Sequence, residues 1–316
     1  VLLAMMTRLN ERPVRALTAG FSGTAVHDER DHARSVAAAV GADHMEVEFS
    51  EDDFWNLLPA ISAAIDDPTA DYAVLPTYKL AARARAEGLK VVLSGEGGDE
   101  LFAGYNSFSQ IPALVGGLGA IPGIGGVGRI LRSLTAPLGG TIMGPKVPGL
   151  FEYCSGYGDA YLLRRGLFMP WELPTVMDGD MAREGLATLN ARQRLKNCQA
   201  QVSAPKAKVA ALEMAWYMRN QLLRDADWAG MAHGLEIRVP LVDVQLFSQL
   251  AGAIARGQGP DKQAMAATPK KPVPGQVLRR PKSGFFVPVR DWLGGDGVQE
   301  RGLRGWAKKV YQAQIL

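Results

Sequence analysis

The residues whose types and spacing say most about chemistry in this chain lie between Leu89 and Tyr105. An apolar run, Val91-Val92-Leu93, leads straight into Ser94-Gly95-Glu96-Gly97-Gly98, and the carboxylates Glu96, Asp99 and Glu100 fall within five positions. Glycines let a backbone approach a ligand closely and take up dihedral angles barred to other residues. A loop leaving the carboxyl end of a parallel strand lies where open α/β sheets bind their ligands. Carboxylates cannot grip phosphate directly, but they hold Mg²⁺, which can. The pattern reads as a place for a nucleotide with its metal; the plainer alternative is an acidic surface turn.

Two further groups carry charge in suggestive settings. Glu236, Arg238 and Asp243 sit between apolar residues. Charges so placed usually pair, because burying them singly is costly, so a buried ion-pair network is as good a reading as a substrate role. Lys262 and Lys282 lie in a basic stretch with Lys270, Lys271, Arg279 and Arg280. Most of these charges are expected in solvent. Lys282 stands out, because Gly284 allows a tight turn that aims an ammonium at phosphate. His233 reads as a hydrogen-bonding helix residue.

Such residues need elements to hold them. Residues 1–10 read as the tail of a helix, and Val14 to Phe21 as a strand ending at Ser22-Gly23. Asp28 to Val40 is Ala-rich and helical, with Gly41 as its C-terminal cap. His44 to Phe49 alternates as a second strand. Ser50 caps a helix through Ile65, with Asp53 at its third position. Asp66-Asp67-Pro68 breaks it, Tyr72 to Glu87 is helical again, and Gly88 precedes the strand Lys90 to Leu93. Strands alternating with helices imply a parallel sheet with crossovers. Phe151 to Ala255 reads as helical without a convincing strand. Lys270 to Pro288 is loop-like, and a short helical piece ends at Trp292-Leu293-Gly294-Gly295.

Composition narrows the class. The 316 residues suffice for one large domain or two small ones, and 47% hydrophobic with 21% charged content fits a soluble globular protein. A net charge of +3 is too small to argue for nucleic acid or a membrane. Cys154 and Cys198, far apart, fit a reducing cytoplasm, and the scattered His27, His32, His44 and His233 form no zinc pattern. The opening Val1-Leu2-Leu3-Ala4-Met5-Met6 lacks a basic leader. Ile111 to Gly128 is long and uncharged, but its Gly and Pro load is expected to make it a flexible apolar loop or lid rather than a spanning helix.

Ser94 to Tyr105 closely resembles the motif S-G-[ED]-G-x-D-E-x-F-x-G-Y of the synthetase domain of glutamine-dependent asparagine synthetases. Thr18-Ala19-Gly20-Phe21 is similar to that family's second strand. Asp66-Asp67-Pro68, Asp71 and Leu75-Pro76-Thr77 are similar to D-E-P-x-x-D-x-S-x-x-P-T, with Asp67 in place of glutamate. Asp227 to Asp243 resembles D-R-x-S-M-A-x-x-x-E-x-R-x-P-x-x-D. Asp261-Lys262 and Arg280-Pro281-Lys282-Ser283-Gly284-Phe285 resemble its d-K and R-x-K-x-G-F elements. The matches run from about Ala16 to Trp292, nearly the whole chain.

The resemblance implies an α/β fold of the adenine nucleotide alpha hydrolase type (PP-loop ATP pyrophosphatase), a parallel sheet flanked by helices with a mainly helical C-terminal half. It divides the chain into a nucleotide-binding part (1–110), a Gly/Pro-rich loop or lid (111–150) and a helical part bearing an active-site lysine loop (151–316). It implies a cytoplasmic ligase using ATP and Mg²⁺: aspartate is converted to an aspartyl-adenylate with release of pyrophosphate, and ammonia from glutamine then yields asparagine and AMP. By the same resemblance Ala19, Ser94, Gly95, Gly97 and Lys262 contact the nucleotide, and Asp99 holds Mg²⁺ on the pyrophosphate. Lys282 neutralises the α-phosphate, and Glu96 faces the acyl-adenylate. A glutamate at 96 is closer to asparagine synthetases than to β-lactam synthetases. A homodimer is a candidate assembly, and neither nucleic acid nor a membrane is expected as a partner.

Departures from the family pattern matter too. Its S-G-G-x-D-S pyrophosphate loop, the strand before that loop and the N-terminal glutaminase domain with its leading cysteine are absent from the sequence. The expectation is a C-terminal piece of a longer enzyme, unable alone to hydrolyse glutamine, with apolar flanks exposed on the two strands that would neighbour the missing one. Trp228 stands where arginine is usual and Gly230 where serine is usual. They point to an alternative, an amidotransferase acting on another acceptor, such as a cell-surface saccharide precursor; a separate alternative is a non-catalytic remnant that binds.

Overall fold

The computed structural model describes residues 1–21, 29–142, 144–270, 273, 275, 287–294 and 303–315. The chain forms two compact units. The first comprises Val1–Gly98, Met218–Asp243 and Pro260–Leu316, and the second Asp99–Tyr217 and Val244–Gly259.

The first unit begins with α1 (Leu2–Leu9), β1 (Arg15–Phe21), α2 (Arg30–Val40), β2 (Asp43–Phe49), α3 (Glu51–Ala64), α4 (Val74–Ala86) and β3 (Val91–Leu93). Local chemistry sets several boundaries. Gly41 closes α2 at φ 74°, in the left-handed region. Ser50 and Asp53 form a reciprocal capping box at the start of α3: Asp53 N–H donates to Ser50 Oγ at 3.2 Å, and Ser50 N–H donates to Asp53 Oδ2 at 2.8 Å. β1 and β2 pair in parallel from Arg15↔Asp43 to Phe21↔Phe49. Their carboxyl ends feed an aromatic core in which Phe49, Phe54 and Trp292 pack with Phe21, Leu75, Val289 and Trp306.

The expected single sheet is not formed among the described residues. β3 pairs in parallel with β4 (Glu236–Arg238), and this ladder is separate from β1–β2. β4 corrects the expectation of a strandless Phe151–Ala255 segment. It is three residues long and flanks one apolar side chain with two charges, so it offers no periodicity to read. A smaller apolar layer of Ala81, Ala84, Leu235, Leu17, Val92 and Ile237 joins residues of both ladders to α4. Val91 and Leu93, on the other face of β3, are 39% and 37% exposed.

The second unit is helical: α5 (Gly98–Leu101, shared with the first), α6 (Ser107–Gly116), α7 (Ile124–Ile142), α8 (Leu150–Tyr153), α9 (Tyr157–Arg165), α10 (Gly179–Leu189), α11 (Ala191–Cys198), α12 (Pro205–Leu212), a π-helical stretch (Glu213–Leu222) and, later, α14 (Val244–Ala255). Between the last two, α13 (Leu223–Met231) returns to the first unit. Phe108, Ile111, Tyr161, Leu195, Val209 and Leu212 form the core.

The segment 111–128, expected as a loop, is largely helical. Burial of Phe108 and Ile111 outweighs Pro112 inside α6. In α7 the glycines serve close packing: a Cβ on Gly128 would lie 2.2 Å from Glu152 N, so only glycine lets α7 rest on α8 there. Among the described residues no single helix is long and apolar enough to cross a membrane.

Candidate active site

The turn after β3 is built by backbone rules before any side chain acts. Ser94 N–H donates to Arg238 O at 2.8 Å, carrying the β3–β4 ladder to the first residue of the motif. The chain then folds back, with Gly98 N–H donating to Gly95 O at 3.3 Å and Glu96 N–H donating to Ser94 Oγ at 3.4 Å. Gly97 sits at φ 83°, and a Cβ there would meet Val242 Cγ2 at 2.5 Å. Both the dihedral and the neighbour demand glycine. Gly95 is different, because a Cβ would meet nothing within 4 Å. The backbone is exposed at that point, as close approach by a ligand requires. Ser94 and Glu96 are half-buried.

The first segment of the first unit ends at Gly98, and the second unit begins with Asp99, which is half-buried. Glu100 is 1% exposed and accepts from the Tyr105 hydroxyl at 2.8 Å. Burial pushes its carboxyl above the usual range, the Tyr105 hydrogen bond opposes this, and Asp99 and Glu213 reinforce it. Gly104 N–H donates to Asp99 O at 2.8 Å, after Ala103 has turned through φ 52°. The closing Gly104-Tyr105 thus holds the acidic end of the motif in place, with Glu100 as its internal fastening. Glu213, wholly buried, accepts from Ser107, Tyr161 and Arg165.

The other sequence-predicted positions are dispersed. Ala19 lies on β1, 8% exposed and paired with Val47. Lys262 opens α15 (Lys262–Ala266), a helix capped by Asp261, and is half-buried. Lys282 lies outside the described residues, so its placement beside the turn stays an expectation. Among the described residues no group of three or more His, Cys, Asp or Glu gathers as a metal cluster. Glu236 and Arg238 do pair, at 2.8 Å, but on the open face of β4 with side chains 56% and 61% exposed. This corrects the buried network. Two residues apart on a strand, they point the same way into solvent.

A buried polar cluster escaped the sequence reading. The Thr69 hydroxyl donates to Asp225 Oδ2 at 2.9 Å, and Gln221 Nε2 donates to the same oxygen. Asp71 N–H donates to Thr69 Oγ1, Ala73 N–H donates to Asp71 Oδ1, and Arg224 pairs with Asp67 at 2.7 Å. Together these tie the segment 66–73 to α13. Asp225 is 6% exposed, and burial lifts its carboxyl to about 6 against the pull of its two donors. The motif aspartate two positions on, Asp227, is exposed instead. The available signal was spacing: Asp225 stands one helical turn before the buried Ala229.

The departures also find packing reasons. Arg224 lies 4.5 Å over the Trp228 ring. A Cβ on Gly230 would fall 2.6 Å from Leu235 O, where the chain doubles back from α13 into β4. An aliphatic cavity in the second unit, lined by Ile111, Leu114, Val147, Leu150 and Leu163 with Lys146 and Arg164, contains none of the predicted site residues.

Comparison with known proteins adds to this geometry. The asparagine synthase family model matches residues 1–311. Glutamine-hydrolyzing asparagine synthetase 1 of Bacillus subtilis is 29% identical over 300 residues, covering 91% of this chain and 46% of that protein. A Mycobacterium bovis protein provisionally named as a glutamine-hydrolyzing asparagine synthetase is 33% identical over 303 residues, covering 92% of this chain and 43% of that protein. Asparagine synthetase 1 of Saccharomyces cerevisiae, also named as glutamine-hydrolyzing, is 37% identical over 83 residues, 26% of this chain and 14% of that protein. The chain thus spans less than half the length of these relatives. Matched across nearly its whole length, it belongs to the asparagine synthase family.

Proposed function

We propose that this chain carries the ATP-dependent ligase part of a glutamine-hydrolysing asparagine synthetase, on a fold of the PP-loop ATP pyrophosphatase type. ATP adenylates the side-chain carboxylate of aspartate with loss of pyrophosphate. Ammonia derived from glutamine then attacks the acyl-adenylate, giving asparagine and AMP. The observation that carries this reading is the turn at the carboxyl end of β3, with its open Gly95 and its forced glycine at 97. Family membership supports it.

The reaction's difficulty is charge, since a carboxylate must meet a polyanion. Positioning and neutralisation supply most of the rate in such transfers. Ser94, Gly95 and Gly97 line the nucleotide through the backbone, and Ala19 backs the adenine from β1. Lys262 and Lys282 bring positive charge toward the phosphates. Glu96 orients ammonia or accepts its proton. Mg²⁺ takes one or two carboxylates and completes its shell with phosphate and water, so a single half-buried Asp99 suits it without a preformed cluster. When bound, the ion neutralises charge on the departing pyrophosphate. Glutamine hydrolysis is assigned to the part of the longer relatives beyond the matched span. Because Trp228 and Gly230 have packing roles, they give no reason to choose an acceptor other than aspartate.

The test is ATP–pyrophosphate exchange in a protein that also carries the upstream sequence. Asp99→Ala and Lys282→Ala are each expected to slow exchange by about 100-fold or more. Near-normal exchange in either variant removes that residue's role.

A further inference from the structure

One strained residue marks the acidic end of the motif. Ala103 has φ 52°, in the left-handed region that a residue with a Cβ enters at a cost. Such a conformation persists only where the surrounding contacts over-determine it, and it gathers at functional sites. On one side of the turn, Gly104 N–H donates to Asp99 O. On the other, closure depends on Tyr105. Its hydroxyl donates to Glu100 at 2.8 Å, and Glu100 follows Asp99 in the single turn of α5. Whatever fixes the Tyr105 ring therefore fixes the two carboxylates at the head of the turn.

That ring is fixed from α9. Arg165 is the last residue of this helix, and Gly166 N–H donates back to Leu162 O at 2.7 Å, which sets the Arg165 backbone. The guanidinium lies 4.6 Å from the Tyr105 ring centroid and 3.9 Å from that of Tyr217, in the corner between two rings inclined at 76°. It also pairs with Glu213 at 3.0 Å. Glu213 already accepts from Ser107 and Tyr161, and an ammonium would meet its charge as well. What a lysine lacks is the flat, delocalised face that rests on two tyrosines at once. Arg165, Tyr217, Tyr105, Glu100 and Asp99 all belong to the second unit. Arg165 lies outside every segment that carries a family motif.

We infer that Arg165 is a positioning residue for the ligase reaction: it locks the Tyr105 ring and, through Tyr105 and the strained turn at Ala103, holds Asp99 where the Mg²⁺-bound nucleotide meets it. The inference rests on the ligase reading, in which Asp99 is the carboxylate for the ion. Arg165 touches neither nucleotide nor metal in this scheme and acts wholly through its neighbours. Side chains one contact removed from a metal ligand commonly govern affinity for the ion by orienting that ligand.

The experiment uses the protein that carries the upstream sequence. Arg165→Lys keeps a positive charge beside Glu213 and loses the stacked plane. It is expected to raise the Mg²⁺ concentration for half-maximal ATP–pyrophosphate exchange about tenfold, with the rate restored to within about twofold at saturating Mg²⁺. Tyr161→Phe is the control: it loosens the same Glu213 without touching Tyr105, and is expected to leave the Mg²⁺ dependence unchanged. Amide hydrogen exchange read by mass spectrometry gives a measure independent of activity. In Arg165→Lys, residues 99–105 should exchange at least about fivefold faster while α10 and α11 keep the parent's protection. Tyr217→Leu removes one stacking ring but leaves the Arg165–Glu213 pair, and is expected to shift both readouts the same way by about threefold; it decides the matter should Arg165→Lys not fold. The proposal is overturned if Arg165→Lys leaves the Mg²⁺ dependence or the exchange of 99–105 at the parent's value. It is equally overturned if Tyr161→Phe shifts the Mg²⁺ dependence as much, since the effect is then a general loosening around Glu213. A parent without exchange activity refutes the ligase reading and the proposal with it, whereas an active parent with an unaltered Arg165→Lys refutes the proposal alone.

Discussion

Replacing Asp225 by asparagine isolates the cost of a buried carboxylate. The side chain is 6% exposed, and its carboxyl is held up to about 6 from an ordinary 3.8. That difference corresponds to about 3 kcal/mol between the protonated and ionised forms of the folded protein. The sign follows from which state holds the proton more tightly. The folded protein does, so the stability contributed by this group is complete below 3.8 and is lost as pH rises through about 6. Asparagine keeps an oxygen for Thr69 and Gln221 but cannot ionise. Urea unfolding of parent and variant should therefore diverge with pH. Integrating over the two values, the advantage of Asp225→Asn grows by about 2 kcal/mol between about pH 4.5 and about pH 7.5. Other titrating groups cancel in the difference. An advantage that does not change with pH, or that shrinks as pH rises, would refute the assignment of burial as the dominant cause.

Further expectations rest on other contacts. Gly97→Ala must adopt a left-handed backbone and meet Val242, which together cost about 2–4 kcal/mol in calorimetry and should lower ATP–pyrophosphate exchange; an unchanged melting temperature would show that the turn relaxes freely. Tyr105→Phe removes the donor to a carboxylate that is 1% exposed, at a cost of about 1–3 kcal/mol, and Glu100→Gln should be better tolerated because burial already disfavours the charge. Equal losses in those two variants would contradict that ordering. Arg165→Met leaves Glu213 buried without its ion-pair partner and should cost about 3–5 kcal/mol, against about 1 kcal/mol for Tyr161→Phe; equilibrium unfolding ranks the two.

Much of the first unit was legible from the chain because its signals are local. Alternation marked β1 and β2, and Ser50 with Asp53 marked the start of α3. The glycine-rich turn after β3 was legible for the same reason, since Gly97 sits where its dihedral and its neighbour require it. What failed was non-local. Gly125 and Gly128 resemble loop residues until α8 is present to be packed against. β4 is a strand only because β3 offers it a ladder. Glu236 and Arg238 looked buried from their apolar neighbours in sequence, yet alternation on a strand turns both outward. Glu100 drew notice as one of three acids, but its fastening to Tyr105 depends on a turn through Ala103 that no composition rule announces. Asp225 hid behind Asp227, the residue of the recognisable motif.

Glu213 has a consequence for how the second unit comes to exist. Its donors arrive from Ser107, Tyr161 and Arg165, which lie 106, 52 and 48 positions earlier in the chain. An unmatched negative charge at a site with no solvent access is costly, so closing the unit around this carboxylate is favourable only with its donors in place. All three strokes of the chain must close around the carboxylate together, and the entropy of those long closures is spent before any reward arrives. The unit should therefore assemble cooperatively, with the loss of any one of these donors felt by the helices that carry the others.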